Sequence, residues 1–416
     1  PIERDPWPKA SPSVIVPVTL LLPHLHLVIL SRAKLSDEVN PLEAQLDCMD
    51  VVNPSTGERI ESYETHTKDD IDDSLEQATT AFEEWRNRPL REREELLESA
   101  AEVLRENKQE YAETMTREMG KPITQAVSEV EKCAWVCDHY AKSASEYLQP
   151  EGHSSPPGSS VKTVYEPLGP VLAVMPWNFP FWRVFRFAAP YLTVGNVGLL
   201  KHASNVPGCA KAIEDVFNEA GYPDGVFQSL LIPSDLVDDI IADDRLRAVT
   251  LTGSGPAGRA VASTAGEQLK KTVLELGGND PVVVLNDADV AEAAEMGAWA
   301  RNQTGGQSCI AAKRFIFHTD VYHPFVDELV SETKSYTVGD PMDEDTDIGP
   351  QARQDLMEEL HEQVQQCVDA GAEIATGGEP LDREGTYYLP TVLTDVPEGC
   401  PADAKETFGP VAAVYE

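Results

Sequence analysis

The chain has 416 residues, of which 41% are apolar, so it is long enough for two or three folded domains with a substantial core. Asp and Glu number 71 against 33 Lys and Arg, and the net charge of −38 excludes nucleic acid and anionic membranes as partners. Because the acidic residues are spread along the whole chain, we expect a halophile's protein, kept soluble in a salty cytoplasm; an ordinary acidic enzyme is the alternative.

The seven cysteines do not form a disulfide framework, since their number is odd and their spacing irregular, and they indicate a reducing compartment, the cytoplasm. Cys133 and Cys137 lie four residues apart in a predicted helix, with no His or second cysteine pair nearby in sequence. We therefore favour core filling over a metal site at this pair, and no metal is predicted.

An uncharged segment at residues 13–30 approaches transmembrane length. Pro17 and Pro23 would break a helix, and no clear cleavage site follows, so a signal or anchor is the weaker interpretation. We favour an extension over residues 1–48, disordered and arising from a misplaced gene start, ahead of a natural beginning at Met49.

The pattern changes at Asp50. Residues 51–60 predict a strand and a turn, and residues 68–112 have helical periodicity that Pro89 interrupts. A third helical stretch is predicted at about 122–148, and the Pro, Gly and Ser residues of 150–160 predict a linker or hairpin tip.

Strands and helices then alternate. An acidic helix is predicted at residues 234–244, and the predicted strands lie at 171–177, 196–202, 225–232 and 247–254. This alternation predicts a parallel sheet with helices on both faces. It begins again at residues 282–285, which predicts a second α/β domain after Leu274.

Two segments carry candidate reactive groups. Cys309 follows a loop with two glycines and opens an apolar run that we predict to be a helix, whose dipole would stabilise the thiolate; a merely buried cysteine is the alternative. Glu275 stands between apolar residues and before Gly-Gly, so we expect it to be buried and usable as a general base near neutral pH. A capped or salt-bridged structural Glu is the alternative.

Two further segments suit the binding of an oxyanion and of a phosphate. Asn178 stands where a predicted strand gives way to an aromatic, Pro-rich turn, so its amide could stabilise an oxyanion or cap the next helix. The Gly-rich turn at residues 251–260, with Gly253 and Ser254, offers backbone N–H groups to a phosphate, although it is neither a full GxGxxG nor a Walker A motif. Lys201 ends a strand and could meet a cofactor hydroxyl or reach solvent.

Taken together and in order, the segments PWNFP, LLKHAS, LTGS, LELGG, GQSC and ETFGPV, with EMGKP at 118–122, resemble the aldehyde dehydrogenase superfamily from about Met49 to Glu416. The resemblance implies an α/β fold and assembly into a homo-oligomer. The implied domains are a Rossmann-type NAD(P)-binding domain, an oligomerisation hairpin and an α/β catalytic domain, at residues 49–148 with 167–273, 149–166 and 274–416 respectively.

The resemblance also implies a mechanism. Cys309 would be the nucleophile that adds to a small aldehyde, Glu275 the base that activates Cys309 or the hydrolytic water, and Asn178 with the Cys309 N–H the oxyanion hole. The product would be a carboxylic acid, released from a thioester.

The implied cofactor contacts divide along the dinucleotide. Trp177 and Ser254, beside Gly253, would lie against the pyrophosphate, and Lys201 against the adenosine ribose. Glu406 and Phe408 would hold the nicotinamide ribose and ring. Ser204 stands where NAD-preferring relatives often carry Glu, and because a Ser can donate to a 2′-phosphate, we expect NADP to be accepted alongside NAD, or preferred.

Residues 181–207 are most similar to the succinate-semialdehyde dehydrogenase branch of that family. Arg186 corresponds to the arginine that this branch uses for the far carboxylate of the substrate, a task that suits a bidentate guanidinium. The position of a second such arginine is Gln303 here, and Arg183 either compensates or contacts solvent. A broad-specificity aldehyde dehydrogenase with a structural Arg186 is the alternative.

Two features depart from the family pattern. The loop before Cys309 reads Thr304-Gly305-Gly306 where relatives usually have Asn-Thr-Gly, so we expect a different rigidity. The chain also stops at Glu416, just past ETFGPV, whereas the family continues, so we expect a fragment with open apolar surface and little activity. An inactive nucleotide-binding remnant is the alternative, and the intact Asn178, Glu275 and Cys309 set favours the enzyme.

Overall fold

The computed structural model describes residues 48–154 and 159–416, and the predictions for residues 13–30 and for most of 1–48 therefore fall outside its described part. The described chain begins with an antiparallel pair, β1 (Cys48–Val52) and β2 (Arg59–Glu64). The Asn53 side chain accepts from the Ser55 N–H at 2.9 Å in the turn between them. The strand and turn predicted at residues 51–60 are thus confirmed.

Four helices follow: α1 (Lys68–Trp85), α2 (Leu90–Glu106), α3 (Lys108–Met119) and α4 (Ile123–Tyr147). The first begins in a capping box between Thr67 and Asp70, which satisfies backbone N–H groups at its start. The predicted break at Pro89 is confirmed. The continuous periodicity to residue 112 is wrong at Asn107, where α2 ends and α3 begins.

A short hairpin leaves the helices. Its strands, β3 (Glu151–His153) and β4 (Val161–Thr163), pair antiparallel and all six residues are exposed. It coincides with the predicted hairpin at 149–166, and residues 155–158 at its tip lie outside the described part. A two-stranded hairpin is marginal in water by itself, so this one needs a packing partner.

The first large sheet contains five parallel strands in the order β7-β6-β5-β8-β9. They are β5 (Pro170–Met175), β6 (Val197–His202), β7 (Phe227–Ser229), β8 (Ala248–Gly253) and β9 (Lys271–Leu276). The connecting helices are α5 (Pro180–Val194), α6 (Pro207–Glu219), α7 (Val237–Ala242) and α8 (Gly255–Glu267). The alternation predicted a parallel sheet, and it is confirmed; β7 and α7 are shorter than the segments predicted at 225–232 and 234–244.

The second large sheet has the order β10-β11-β14-β13-β12, with only β12 antiparallel to its neighbour. Its strands are β10 (Pro281–Val284), β11 (Arg314–Phe317), β12 (Glu373–Thr376), β13 (Thr391–Thr394) and β14 (Val411–Tyr415). Its helices are α9 (Val290–Asn302), α10 (Thr319–Ser335), α11 (Gln354–Ala370) and α12 (Pro401–Ala404). The alternation of strands and helices predicted to begin again at residues 282–285 is therefore present as a second sheet with its helices.

The core has three apolar clusters. One cluster packs helices α1 through α8 against the first sheet. It contains the fully buried Cys133 and Cys137, so this pair fills the core. The other two lie around the second sheet. The described residues, 48–154 and 159–416, belong to one compact unit, and the three-domain division stays a prediction.

Within residues 48–154 and 159–416, no helix is both long and apolar enough to cross a membrane. The same residues contain no group of three or more His, Cys, Asp or Glu side chains that could hold a metal ion.

Candidate active site

The first large sheet reverses its strand order between β5 and β8, and open α/β sheets bind ligands in the crevice at such a switch point. A cleft of about 580 Å³ lies there, against the loop that carries Cys309. The residues predicted from the sequence that line it are Asn178, Glu275, Cys309, Trp177, Gly253, Ser254, Glu406 and Phe408. Catalytic candidates and most cofactor candidates therefore meet in one place.

Cys309 lies in a turn between α9 and β11, after a loop with a rare backbone conformation. Thr304, Gly305 and Gly306 have φ angles of 55°, 59° and 73°, three successive left-handed residues. A Cβ at Gly306 would overlap the backbone of Gly409, so the loop packs closely on the ETFGPV segment. The prediction of a helix beginning at Cys309 is wrong, because Cys309 and Ile310 form a turn and irregular residues then lead into β11. No helix dipole acts on the thiol from that side.

The Cys309 thiol faces a guanidinium. Arg183 lies in α5, is only 6% exposed, and places its Nη2 atom 2.8 Å from the Cys309 Sγ atom. The guanidinium is thus in direct contact with the candidate nucleophile. Lys313 Nζ donates to the Cys309 carbonyl at 2.7 Å and pairs with Glu406 at 2.9 Å. One buried ammonium thus joins the nucleophile loop to the ETFGPV segment, and the sequence had not singled out Lys313.

Asn178 lies between β5 and α5 and points at the nucleophile loop. Its Nδ2 atom donates to the Gln307 carbonyl at 2.9 Å, and the side chain is buried. The alternative that it caps the next helix is wrong, because Phe179 is the N-cap residue of α5 and the first N–H groups of that helix donate to Glu129. Nδ2 has a second N–H, and the Cys309 N–H has no acceptor among the described residues, so two donors remain for an oxyanion.

Glu275 lies on β9 and its side chain is 51% exposed. The expected burial is wrong, because β9 is an edge strand that pairs with β8 alone and exposes every side chain. Arg186 holds the carboxylate, with its Nη2 atom 3.4 Å from Oε2. Glu275 is therefore both salt-bridged and at the cleft, whereas Arg186 does not line the cleft.

Gly277, in the LELGG segment, lies against the carboxylate of Glu406. A Cβ at Gly277 would overlap the Glu406 Oε2 atom. The glycine after Glu275 thus allows the ETFGPV segment to approach the first sheet, which explains a small residue at this point of the motif.

The end of β8 and the start of α8 form the opposite edge of the cleft. Ser254 is the N-cap residue of the 13-residue helix α8, and Gly253 and Gly255 flank it. A helix N-terminus after a parallel strand presents N–H groups and a positive dipole end to a phosphate. Trp177 and Phe408 make an edge-to-face contact with ring centroids 5.7 Å apart. These residues fit a nicotinamide dinucleotide.

Lys201 and Ser204 lie at the end of β6, beyond the residues that line the cleft. Lys201 is buried and its Nζ atom donates to the Ser234 hydroxyl at 3.4 Å, so the alternative that it reaches solvent is wrong. Burial also lowers the pKa of Lys201. Ser204 is exposed in the turn after β6. Because β6 is the neighbour of β5, both residues stand at the same carboxyl edge of the sheet as the cleft.

Helix α11 forms a wall of the cleft that the sequence had not predicted. The residues that it contributes are Leu356, Glu359, Leu360 and Gln363. Their local sequence indicates an amphipathic helix only, because their place at the cleft depends on how the second sheet's helix meets the first sheet.

The sequence profile of the aldehyde dehydrogenase family matches residues 42–416, and the chain belongs to this family. The match begins before Met49, so the prediction of a non-family extension is wrong for residues 42–48. A protein of Synechocystis sp. described as a probable succinate-semialdehyde dehydrogenase [NADP(+)] is 50% identical over 361 residues, 87% of this chain and 79% of that protein. The succinate-semialdehyde dehydrogenase [NADP(+)] of Mycobacterium avium is 45% identical over 367 residues, 88% of this chain and 78% of that protein.

Solved structures agree with the sequence relatives. The succinic semialdehyde dehydrogenase of Streptococcus pyogenes, in complex with NADP⁺ as the cofactor, is 36% identical with a TM-score of 0.86, over 88% of this chain and 80% of that chain. Gox0499, studied for its cofactor and substrate selection, is 38% identical with a TM-score of 0.87, over 88% of this chain and 81% of that chain. The α/β aldehyde dehydrogenase fold predicted from the motifs is therefore confirmed.

Proposed function

We propose that the protein oxidises succinate semialdehyde to succinate, with NADP as the hydride acceptor. The observation that carries the proposal is the convergence of Asn178, Glu275 and Cys309 on one cleft, next to a helix N-terminus suited to a dinucleotide. The similarity to proteins described as succinate-semialdehyde dehydrogenases [NADP(+)] supports the choice of substrate and cofactor.

The chemistry begins at Cys309. Its thiolate, beside the Arg183 guanidinium, adds to the aldehyde carbon, and the carbonyl oxygen becomes an oxyanion that accepts from Asn178 Nδ2 and the Cys309 N–H. The adduct becomes a thioester by losing a hydride, which a bound nicotinamide would accept.

Glu275 then serves the second half of the reaction. Its carboxylate takes a proton from a water molecule that attacks the thioester carbon, and the C–S bond breaks to release succinate and regenerate the Cys309 thiolate. Its exposure admits water, and Arg186 holds it in place at 3.4 Å. The residues that would hold the cofactor are Trp177, Lys201, Ser204, Gly253, Ser254, Glu406 and Phe408.

The mechanism predicts a separable defect for Glu275→Gln. We expect one equivalent of NADPH per active site in a burst, followed by slow turnover, because the thioester forms and is not hydrolysed. Intact-protein mass spectrometry should show one succinyl group, absent in Cys309→Ala. Glu359→Gln, a second carboxylate at the same cleft, is the matched control and should turn over normally. A steady rate from Glu275→Gln equal to the wild type would contradict the assigned role.

Cofactor choice is tested at Ser204. A glutamate there repels a 2′-phosphate and can accept from a ribose 2′-hydroxyl, so Ser204→Glu should lower kcat/KM for NADP by about 10- to 100-fold and leave that for NAD within a few-fold. Ser204→Ala serves as the neutral control and should lower the NADP value slightly. An unchanged ratio of the two kcat/KM values in Ser204→Glu would remove Ser204 from the cofactor site.

A further inference from the structure

We infer that Arg183, rather than Arg186, is the residue that receives the far carboxylate of the substrate. The inference rests on the proposed oxidation of succinate semialdehyde and names the specificity determinant for it. Arg183 and Arg186 lie three residues apart on α5, close to the cleft, and the sequence alone favoured Arg186. Their partners differ.

Arg183 is a buried cation without a carboxylate. It is 6% exposed, and it makes no salt bridge with any acidic side chain in residues 48–154 and 159–416. Its Nε atom is buried and has no hydrogen-bond partner in that part of the chain. Its remaining neighbours are the Cys309 sulfur at 2.8 Å and the ring of Phe179, whose centroid is 5.6 Å from Cζ.

Such a group is costly in the free protein. A buried charge is stable when it is paired and hydrogen-bonded, and a guanidinium has five N–H donors to satisfy. Once the Cys309 thiolate has added to the aldehyde, the sulfur no longer carries a negative charge, and the substrate carboxylate would then supply the counter-charge and accept two parallel N–H bonds. The site is therefore suited to an anion next to the nucleophile.

Arg186, in contrast, already has a carboxylate partner. It is 36% exposed and already paired with Glu275, so binding a substrate carboxylate there would compete with the proposed base. We assign Arg186 to positioning Glu275.

The reach of the substrate agrees with Arg183. Three C–C bonds of about 1.5 Å separate the aldehyde carbon from the carboxyl carbon of succinate semialdehyde, so the two lie about 4 Å apart in an extended chain. With the aldehyde carbon bonded to Cys309, the carboxylate falls within reach of the guanidinium that contacts the same sulfur. An uncharged aldehyde of equal length gains nothing from Arg183.

Steady-state kinetics of Arg183→Gln, Arg183→Lys and Arg186→Gln, with succinate semialdehyde and butanal, test the assignment. Arg183→Gln should lower kcat/KM for succinate semialdehyde about 100-fold more than that for butanal, since a charged hydrogen-bonded pair is lost. Arg183→Lys should restore part of the difference. Arg186→Gln should lower kcat/KM for both substrates by the same factor. A selectivity ratio unchanged in Arg183→Gln but lost in Arg186→Gln would overturn the inference.

Alkylation of Cys309 gives a readout independent of turnover. Iodoacetate carries a carboxylate next to the reacting carbon, and iodoacetamide is its neutral analogue. We expect wild-type Cys309 to prefer iodoacetate relative to a free thiol, and Arg183→Gln to lose that preference by at least about 10-fold. If the preference persists in Arg183→Gln, the inference fails. A different outcome would separate the two proposals. If the wild-type protein oxidises butanal as well as succinate semialdehyde, and Arg183→Gln still loses the alkylation preference, the proposed substrate is wrong and the anion site is supported.

Discussion

Thr304 shows how a single residue can store strain beside a nucleophile. Its φ of 55° places a β-branched side chain in the left-handed region, where non-glycine residues lose roughly 1–2 kcal/mol. The conformation is held from outside the loop, because the Thr304 N–H donates to Gln125 Oε1 at 2.8 Å. Strain of this kind clusters at functional sites, and here it sets the loop that ends at Cys309.

We predict that Thr304→Asn raises the free energy of unfolding by about 0.5–1 kcal/mol, because asparagine tolerates the left-handed region and keeps the backbone bond to Gln125. Urea unfolding measures the change. Thr304→Val keeps the β-branch and serves as the control, which should not be stabilised. An asparagine variant no more stable than the wild type would show that the loop is unstrained. The departure from the family's Asn-Thr-Gly order would then carry no cost.

At the scale of elements, the start of α5 is anchored by a buried carboxylate from α4 rather than by the side chain of its own N-cap residue. Glu129 accepts from the Phe181 and Trp182 N–H groups at 3.0 and 2.9 Å, and it pairs with the buried Lys121 of the EMGKP segment. This anchor fixes the helix that carries Arg183. It gives EMGKP a positional role in the site, although the segment does not line the cleft.

His202 joins β6 to the same end of α5. Its Nδ1 atom accepts from the Ala203 N–H at 2.9 Å, so Nε2 carries the proton and donates to the Pro180 carbonyl at 3.0 Å. Burial lowers the pKa of His202 from 6.5 to about 4. The folded protein therefore keeps this ring neutral where the unfolded chain would protonate it.

The sign of the pH effect follows from that difference. The contribution of His202 to the free energy of unfolding is complete above pH 6.5 and is lost as the pH falls towards 4. The loss between pH 6.5 and roughly 5 should amount to about 2 kcal/mol. Chemical unfolding at each pH measures it. His202→Gln keeps a donor for Pro180 without titrating, so its stability should fall less over this interval. Parallel curves for variant and wild type would show that His202 is not the group responsible.

Contacts within the described chain do not explain how the hairpin of β3 and β4 is stabilised. Its strands, including Val161 of β4, are exposed, and Tyr165 beside them is exposed as well. Contact with a second copy would cover it, and the homo-oligomer implied by the family resemblance stays a prediction.

At the scale of the whole molecule, the main feature is the large excess of negative charge. The 33 Lys and Arg residues can neutralise fewer than half of the 71 acidic residues, so the folded chain carries a large self-repulsion at low ionic strength. Salt shortens the Debye length from about 10 Å at 0.1 M to about 3 Å at 1 M and removes this repulsion. Adaptation to a salty cytoplasm remains a prediction from composition.

We predict that the midpoint of thermal unfolding rises by roughly 5–10 °C between 0.05 and 1 M KCl, the shift expected from a few kcal/mol. Screening acts through ionic strength alone, so NaCl should have the same effect as KCl. Sucrose at matched osmolality is the control for solute exclusion and should give a smaller rise. A midpoint independent of salt would exclude self-repulsion as a major term in the stability of this protein.

The sequence by itself determined the class of fold and the identity of the reacting groups. Strand and helix periodicities are local properties of the backbone, so the alternation after residue 170 predicted both sheets. The order of the motifs placed Asn178, Glu275 and Cys309 in one family site, and the structure brings all three to one cleft.

Only the tertiary structure decided which partners these groups have. Arg183 and Cys309 are 126 residues apart, and nothing local distinguishes Arg183 from Arg186 on the same helix. Glu275 looked buried from its apolar neighbours, yet it is exposed because β9 is a sheet edge. Periodicity reports how a segment folds, whereas the charge next to a thiol depends on which face of a distant element packs against it.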